Sequence, residues 1–180
     1  MTEQQKAILP LQNHQVTFID TGLPDYQILI DGLPEGMEVV LVAPDQDGIQ
    51  VMAEWAQNHA DYSAIHILGH GSNGAQQLGS ATLSSETLSQ YKTQFRQIGA
   101  SLNEDGDILL YGCHVAADQT GVEFIGKLAQ ITGADIAASD NLTGAESLGG
   151  DWELETVSGL QDKLSLSFER FAGSLAQQTI

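Results

Sequence analysis

Two stretches decide how this chain folds: Ala64-Ile65-His66-Ile67-Leu68-Gly69-His70-Gly71 and Asp107-Ile108-Leu109-Leu110-Tyr111-Gly112-Cys113. Each is a nearly continuous apolar run that stops at glycine. A strand with one face in water would alternate, so continuity marks strands buried on both faces, as in a parallel sheet. Working outward, residues 38–43 read as a further strand of this kind, and 16–19 and 134–138 as short strands. Residues 152–157 alternate, which predicts an edge or antiparallel strand. Between them, helical spacing appears around Tyr26, Leu29 and Ile30, over 49–58, over a long segment opened by Ser84 (Leu88, Tyr91, Phe95, Ile98), and over 120–131 with Gly133 as its stop. Residues 77–83 suggest a small hairpin or an extended excursion. Strands alternating with helices predict an α/β fold: a mostly parallel sheet of about six strands, covered on both faces as a three-layer α/β/α sandwich. The domain occupies 16–164, between a polar arm (1–15) and an amphipathic tail or linker (165–180) carrying Leu166, Phe168, Phe171 and Leu175.

The chain has 180 residues, one cysteine, and 24 acidic against 6 basic side chains, a net charge of −18. That length buries a core without disulfides or metals. The charge repels phosphates, which argues against nucleic-acid or anionic-membrane partners. No apolar run is long enough to span a bilayer, and the polar start lacks the pattern of a Sec signal peptide. Oligomeric state is not legible.

In a parallel sheet, functional groups gather where strands end at their carboxyl edge. If the two opening strands are neighbours, His70 and Cys113 emerge together there. A thiol, with an ordinary pKa of about 8.5, needs a base or positive field to act as thiolate at neutral pH. An imidazole can supply the base, then protonate a leaving amine. Gly71 and Gly112 let a substrate backbone come close, and the Gly71 and Cys113 N–H groups can hold an oxyanion. A helix following Cys113 would add its positive end, depending on where its first turn begins.

A strand ending in His-Gly, then another ending in a small residue plus Cys, resembles the caspase-like clan of cysteine peptidases: caspases, legumains, gingipains, separases and the self-cleaving domains of RTX toxins. The resemblance implies His70 as catalytic histidine and Cys113 as nucleophile. It also implies an S1 pocket built in part by 114–118 and Ser139-Asp140-Asn141. Asp140 there would select a basic P1 side chain by a charge-assisted hydrogen bond, or else cap a turn. A closer resemblance spans 16–160. Phe18-Ile19-Asp20, Leu23-Pro24-Asp25-Tyr26, the two opening stretches, Thr132-Gly133-Ala134-Asp135 and Gly149-Gly150-Asp151-Trp152-Glu153-Leu154 are similar to a bacterial domain of unknown function near the N-terminus of very large secreted repeat proteins and adhesins. This implies an extracellular or cell-surface setting within a larger parent, with a peptide or protein substrate, the parent itself in cis among the candidates.

Other readings compete. His66 and His114 with His70 invite a metal site, but His66 sits about 13 Å back along the strand, which favours a sheet-face histidine; His14 and His59 read as surface residues. Asp45-Gln46-Asp47-Gly48 with Glu54 matches the later part of an EF-hand loop whose first position is Ala43, so a turn with an aspartate cap is favoured. Residues 103–107 are acidic and turn-like. No cofactor is required, and room is left for a structural calcium ion. The alternative function is a catalytically inactive structural or adhesion module. A nucleotide-binding domain is disfavoured: Gly-x-Gly follows the third strand and there is no P-loop lysine.

Overall fold

A computed structural model describes residues 14–154, 156–158, 166, 168 and 170–175. The strands are β1 (Gln15–Asp20), β2 (Glu38–Val42), β3 (Tyr62–Leu68), β4 (Gly71–Ser72), β5 (Ala75–Leu78), β6 (Ala81–Ser84), β7 (Leu102–Tyr111), β8 (Asp135–Ala138) and β9 (Thr156–Ser158). The helices are α1 (Tyr26–Asp31), α2 (Gly48–Ala56), α3 (Ser85–Gln90), α4 (Lys92–Ala100) and α5 (Gln119–Thr132). The polar arm expected over 1–15 falls outside the described residues up to residue 13, while Gln15 already opens β1.

Six strands form one sheet in the order β2-β1-β3-β7-β8-β9, parallel throughout except β9, which runs antiparallel to β8. The period of two sorts the strand side chains cleanly. Val16 and Phe18, Ile65 and Ile67, Ile108 and Leu110, and Ile136 and Ala138 enter one core, packed against Ile49 and Met52 of α2, Leu88 of α3, Phe95 and Ile98 of α4, and Phe124 and Leu128 of α5. Ile19, Ala64, Leu68, Leu109 and Tyr111 point to the opposite face, where Leu29 of α1 and the C-terminal Leu166, Phe168, Phe171 and Leu175 cover them. The expected three-layer α/β sandwich is therefore present, with its second outer layer built from one short helix and an irregular segment. Among the described residues, no helix is long and apolar enough to cross a membrane.

Local chemistry explains the boundaries. Asp47 accepts from the backbone N–H groups of Ile49 and Gln50, the aspartate cap of α2. Ser84 and Thr87 form a reciprocal capping box at α3. Gly133, at φ 74°, ends α5 in the left-handed conformation that glycine adopts without a Cβ clash. Three expectations need correction. The long helix from Ser84 is two helices broken at Tyr91, whose hydroxyl donates to Asp47 Oδ2 at 2.9 Å. The sixth strand covers 156–158 rather than 152–157: Trp152 packs edge-on against Phe168 with ring centroids 4.9 Å apart, so its burial reflects core packing and not strand pairing. Residues 103–107 lie inside β7, where the pairing with β3 jumps register between Tyr62 and Ala64; their turn character is a bulge.

Candidate active site

β3 and β7 are neighbours in register, Ile65 opposite Ile108 and Leu68 opposite Tyr111, so they end level. The Gly69 N–H reaches the Tyr111 carbonyl at 3.4 Å. Gln76, fully buried in β5, donates its Nε2 to the Ile67 carbonyl (3.0 Å) and to the Tyr111 carbonyl (3.1 Å), clamping the two strand ends together. Past them the loops pack backbone to backbone. A Cβ on Gly71 would stand 2.6 Å from the nitrogen and the oxygen of Cys113 and from the carbonyl carbon of Gly112. Gly71 thus lies directly on Gly112-Cys113, and the fold brings the His70 and Cys113 loops to one rim.

Cys113 is wholly buried. Its Sγ accepts from the Thr143 N–H at 3.1 Å and donates to the Thr143 carbonyl at 3.3 Å. Burial pushes the thiol above its ordinary pKa, and hydrogen bonds from the backbones of Thr143 and Leu175 oppose that push. Thr143 Oγ1 also donates to the Gly112 carbonyl at 3.2 Å. His70 is half-buried, and its Nδ1 is buried without a hydrogen-bond partner among the described residues. An orphaned ring nitrogen costs free energy. The helix after Cys113, α5, begins at Gln119, and its free N–H of Thr120 is satisfied by the Asp118 carboxylate at 2.9 Å. The positive end of α5 is therefore spent on Asp118. His114 takes the left-handed conformation (φ 59°) and donates its N–H to the Asn141 carbonyl at 2.8 Å, tying the loop after Cys113 to the loop after β8.

Asp140 is exposed at the end of β8, while the turn around it is made by Ser139 and Asn141: the Ser139 hydroxyl accepts from the Asn141 N–H at 3.2 Å. His66 stays in the sheet, its Nε2 2.7 Å from Gln15 Oε1 and its Nδ1 3.3 Å from the Tyr111 hydroxyl. His59 stacks on Trp55 with ring centroids 4.3 Å apart. No cluster of three potential metal ligands occurs among the described residues.

Burial holds the His66 ring neutral down to a pKa of about 3. An unfolded histidine takes its proton near pH 6.5, so between that pH and about 3 the unfolded chain binds more protons than the folded one. Stability falls as pH is lowered through this window, by about 2 kcal/mol at pH 5. Urea unfolding at pH 7.5 and 5.0 checks this: the parent should lose about 2 kcal/mol more than a His66→Gln chain.

The C-terminal segment reaches the same rim. Residues 173–175 run antiparallel to 143–145: Leu175 N–H donates to the Thr143 carbonyl (2.8 Å), Ala145 N–H to the Gly173 carbonyl (2.9 Å), and Gly144 bridges Ser174. The Leu175 carbonyl then accepts from the Gly71 N–H at 2.8 Å, and its side chain is fully buried in the cluster that contains Cys113. A cleft of about 880 Å³ lies alongside, between Glu146, Asp151, Trp152 and Phe168.

Thr143, Gln76 and the seating of Leu175 are what the sequence did not disclose. Thr143 lies two residues beyond Ser139-Asp140-Asn141, the strand-end stretch that was legible. A buried glutamine in a short hairpin carries no motif.

A family model described as "Domain of unknown function (DUF4347)" matches residues 16–174. No curated protein matches the chain. A solved structure titled "Crystal structure of a small-chain dehydrogenase" is 11% identical over 67% of this chain and 77% of that one, with a TM-score of 0.37, too slight a likeness to bear on fold or activity.

Proposed function

We propose that this chain, which belongs to the DUF4347 family of domains of unknown function, is a caspase-like cysteine endopeptidase acting through His70 and Cys113. The observation that carries the reading is the level ending of β3 and β7, which delivers a histidine with an unpartnered buried Nδ1 and a thiol to loops in backbone contact. In this reading the Cys113 sulfur attacks a peptide carbonyl, and His70 takes the thiol proton and returns it to the leaving amine. The Gly71 amide, with that of Cys113, stabilises the oxyanion, and Gly112 keeps the approach free of side chains. Thr143 positions the sulfur through its backbone. Asp140, exposed on the rim, is the group a basic substrate residue would meet. The substrate is proposed to be a peptide or protein, first of all the parent polypeptide in cis. The proposed setting is a large secreted or surface protein, with calcium as a structural ion in that environment.

One observation favours the rival reading, a catalytically silent structural or adhesion module: the thiol is sealed from solvent and raised in pKa. The two readings separate in one experiment. The purified chain and its Cys113→Ala variant are incubated with and without calcium, and intact masses are recorded. The peptidase reading expects peptide-bond hydrolysis in the parent and none in the variant. Equal inertness of both, together with no reaction of Cys113 with peptidyl acyloxymethyl ketones, supports the silent module.

A further inference from the structure

Three of the six basic side chains in this acidic chain meet at one place. Lys92 and Arg96 of α4 and Lys127 of α5 line a cleft of about 370 Å³ where α3 and α4 pack against α5. Although the chain holds 24 carboxylates, no ion pair among the described residues includes any of the three. The acidic residues on these helices are Glu86 and Glu123; neither lines the cleft, and Glu123 accepts from Gln119 Nε2 at 3.5 Å. The placement of the cations opposes helix stability. Lys92 and Arg96 stand four residues apart on one helix face, where like charges repel. Lys92 is also the first residue of α4, at the positive end of the helix dipole, and that end has no side-chain cap. All three are exposed, so burial does not hold them there. An anion bound between them would relieve the repulsion and serve the uncapped helix end.

The rest of the cleft selects the kind of anion. Three cations, one of them a guanidinium fork, match the double charge of a phosphate group better than the single charge of a carboxylate. Ser89 and Gln130 add neutral donors beside them. Leu88, buried, and Ile131, half-buried, make an apolar wall. The volume is that of roughly a dozen waters, against the four oxygens of one tetrahedral ion, so the wall has an organic part of the ligand to meet. The net charge of −18 repels extended polyanions such as nucleic acid or an anionic bilayer, which leaves a small ligand. We propose that the cleft between α3, α4 and α5 binds a small phosphate monoester, with its phosphate among Lys92, Arg96 and Lys127 and its organic part on Leu88 and Ile131. The proposal is independent of the peptidase reading: these helices cover one face of the sheet, and Cys113 belongs to the core on the other.

The test is calorimetric titration of the full chain with phenyl phosphate, inorganic phosphate and benzoate, at low and high salt. Lys92→Gln, Arg96→Gln and Lys127→Gln are titrated beside it, with Arg170→Gln, an exposed cation outside the cleft, as control. Expected is one site per chain for phenyl phosphate, tighter than for either other probe and weakened by salt. Each of the three substitutions should lower that affinity about tenfold or more, and the control should leave it unchanged. Without ligand the three variants should melt no lower than the parent, because the cations hold nothing in the fold; phenyl phosphate should raise Tm in the parent and the control. Absence of saturable binding, or an affinity untouched by the three substitutions, overturns the site. Variants that melt below the parent without ligand overturn it as well, by making the cations structural. Benzoate binding as tightly as phenyl phosphate overturns the phosphate assignment, and inorganic phosphate doing so overturns the organic part.

Discussion

Gly71→Ala is expected to destabilise the fold by about 3 kcal/mol, lowering Tm by roughly 10 °C. The reason is one contact: the added methyl would stand 2.6 Å from the Cys113 nitrogen and oxygen. Both obstacles are backbone at the ends of buried strands, clamped by Gln76, so neither can step aside cheaply. Gly126→Ala is the matched control. It lies exposed in α5 with nothing within 4 Å of a Cβ, so the substitution should stabilise by about 0.5–1 kcal/mol through helix propensity. Urea denaturation of the two variants reads the opposite signs. Equal effects would mean that the two loops are not in contact.

The second large effect is on rate. In the proposed chemistry Cys113 supplies the covalent bond and His70 the proton transfers, so the two substitutions should not cost the same. Cys113→Ala removes the reacting atom, and hydrolysis should fall on the order of 10⁴-fold or more. His70→Ala leaves a thiol that still becomes thiolate at high pH. Its loss should be about 10²–10⁴-fold at neutral pH and shrink as pH rises, because hydroxide does what the imidazole did. The raised thiol pKa in the folded chain makes this recovery begin above the range of an ordinary cysteine. Product formation against pH in the two variants checks the split: a flat deficit for Cys113→Ala and a pH-dependent one for His70→Ala.

The part of the architecture that was legible from residues alone is the part set by local physics. Continuous apolar runs gave β3 and β7 as buried parallel strands, and their glycine endings gave the rim. The capping aspartate before α2 and the glycine after α5 act within a few residues of themselves, so they could be read directly. What failed depends on distant partners. Nothing near Tyr91 announces a helix break, because the group holding it is Asp47. The alternation around Trp152 looked like a strand because aromatic burial against Phe168 and Phe171 imitates one. The site divided in the same way. His70, Gly71, Gly112 and Cys113 carry strand-end signals. Thr143 contributes only backbone atoms to the sulfur, which no side-chain pattern encodes. The tail's apolar residues were visible, but their destination over the thiol is a tertiary fact.

The central claim is that His70 acts on the Cys113 thiol. The most direct measurement is the rate at which a peptidyl acyloxymethyl ketone modifies Cys113 at neutral pH, read by peptide mass mapping of the parent and of His70→Ala. The account predicts a label on Cys113 in the parent, with the rate at least about 100-fold lower in His70→Ala. An unlabelled Cys113 in the folded parent, with or without calcium, or the same rate in both chains, would contradict it.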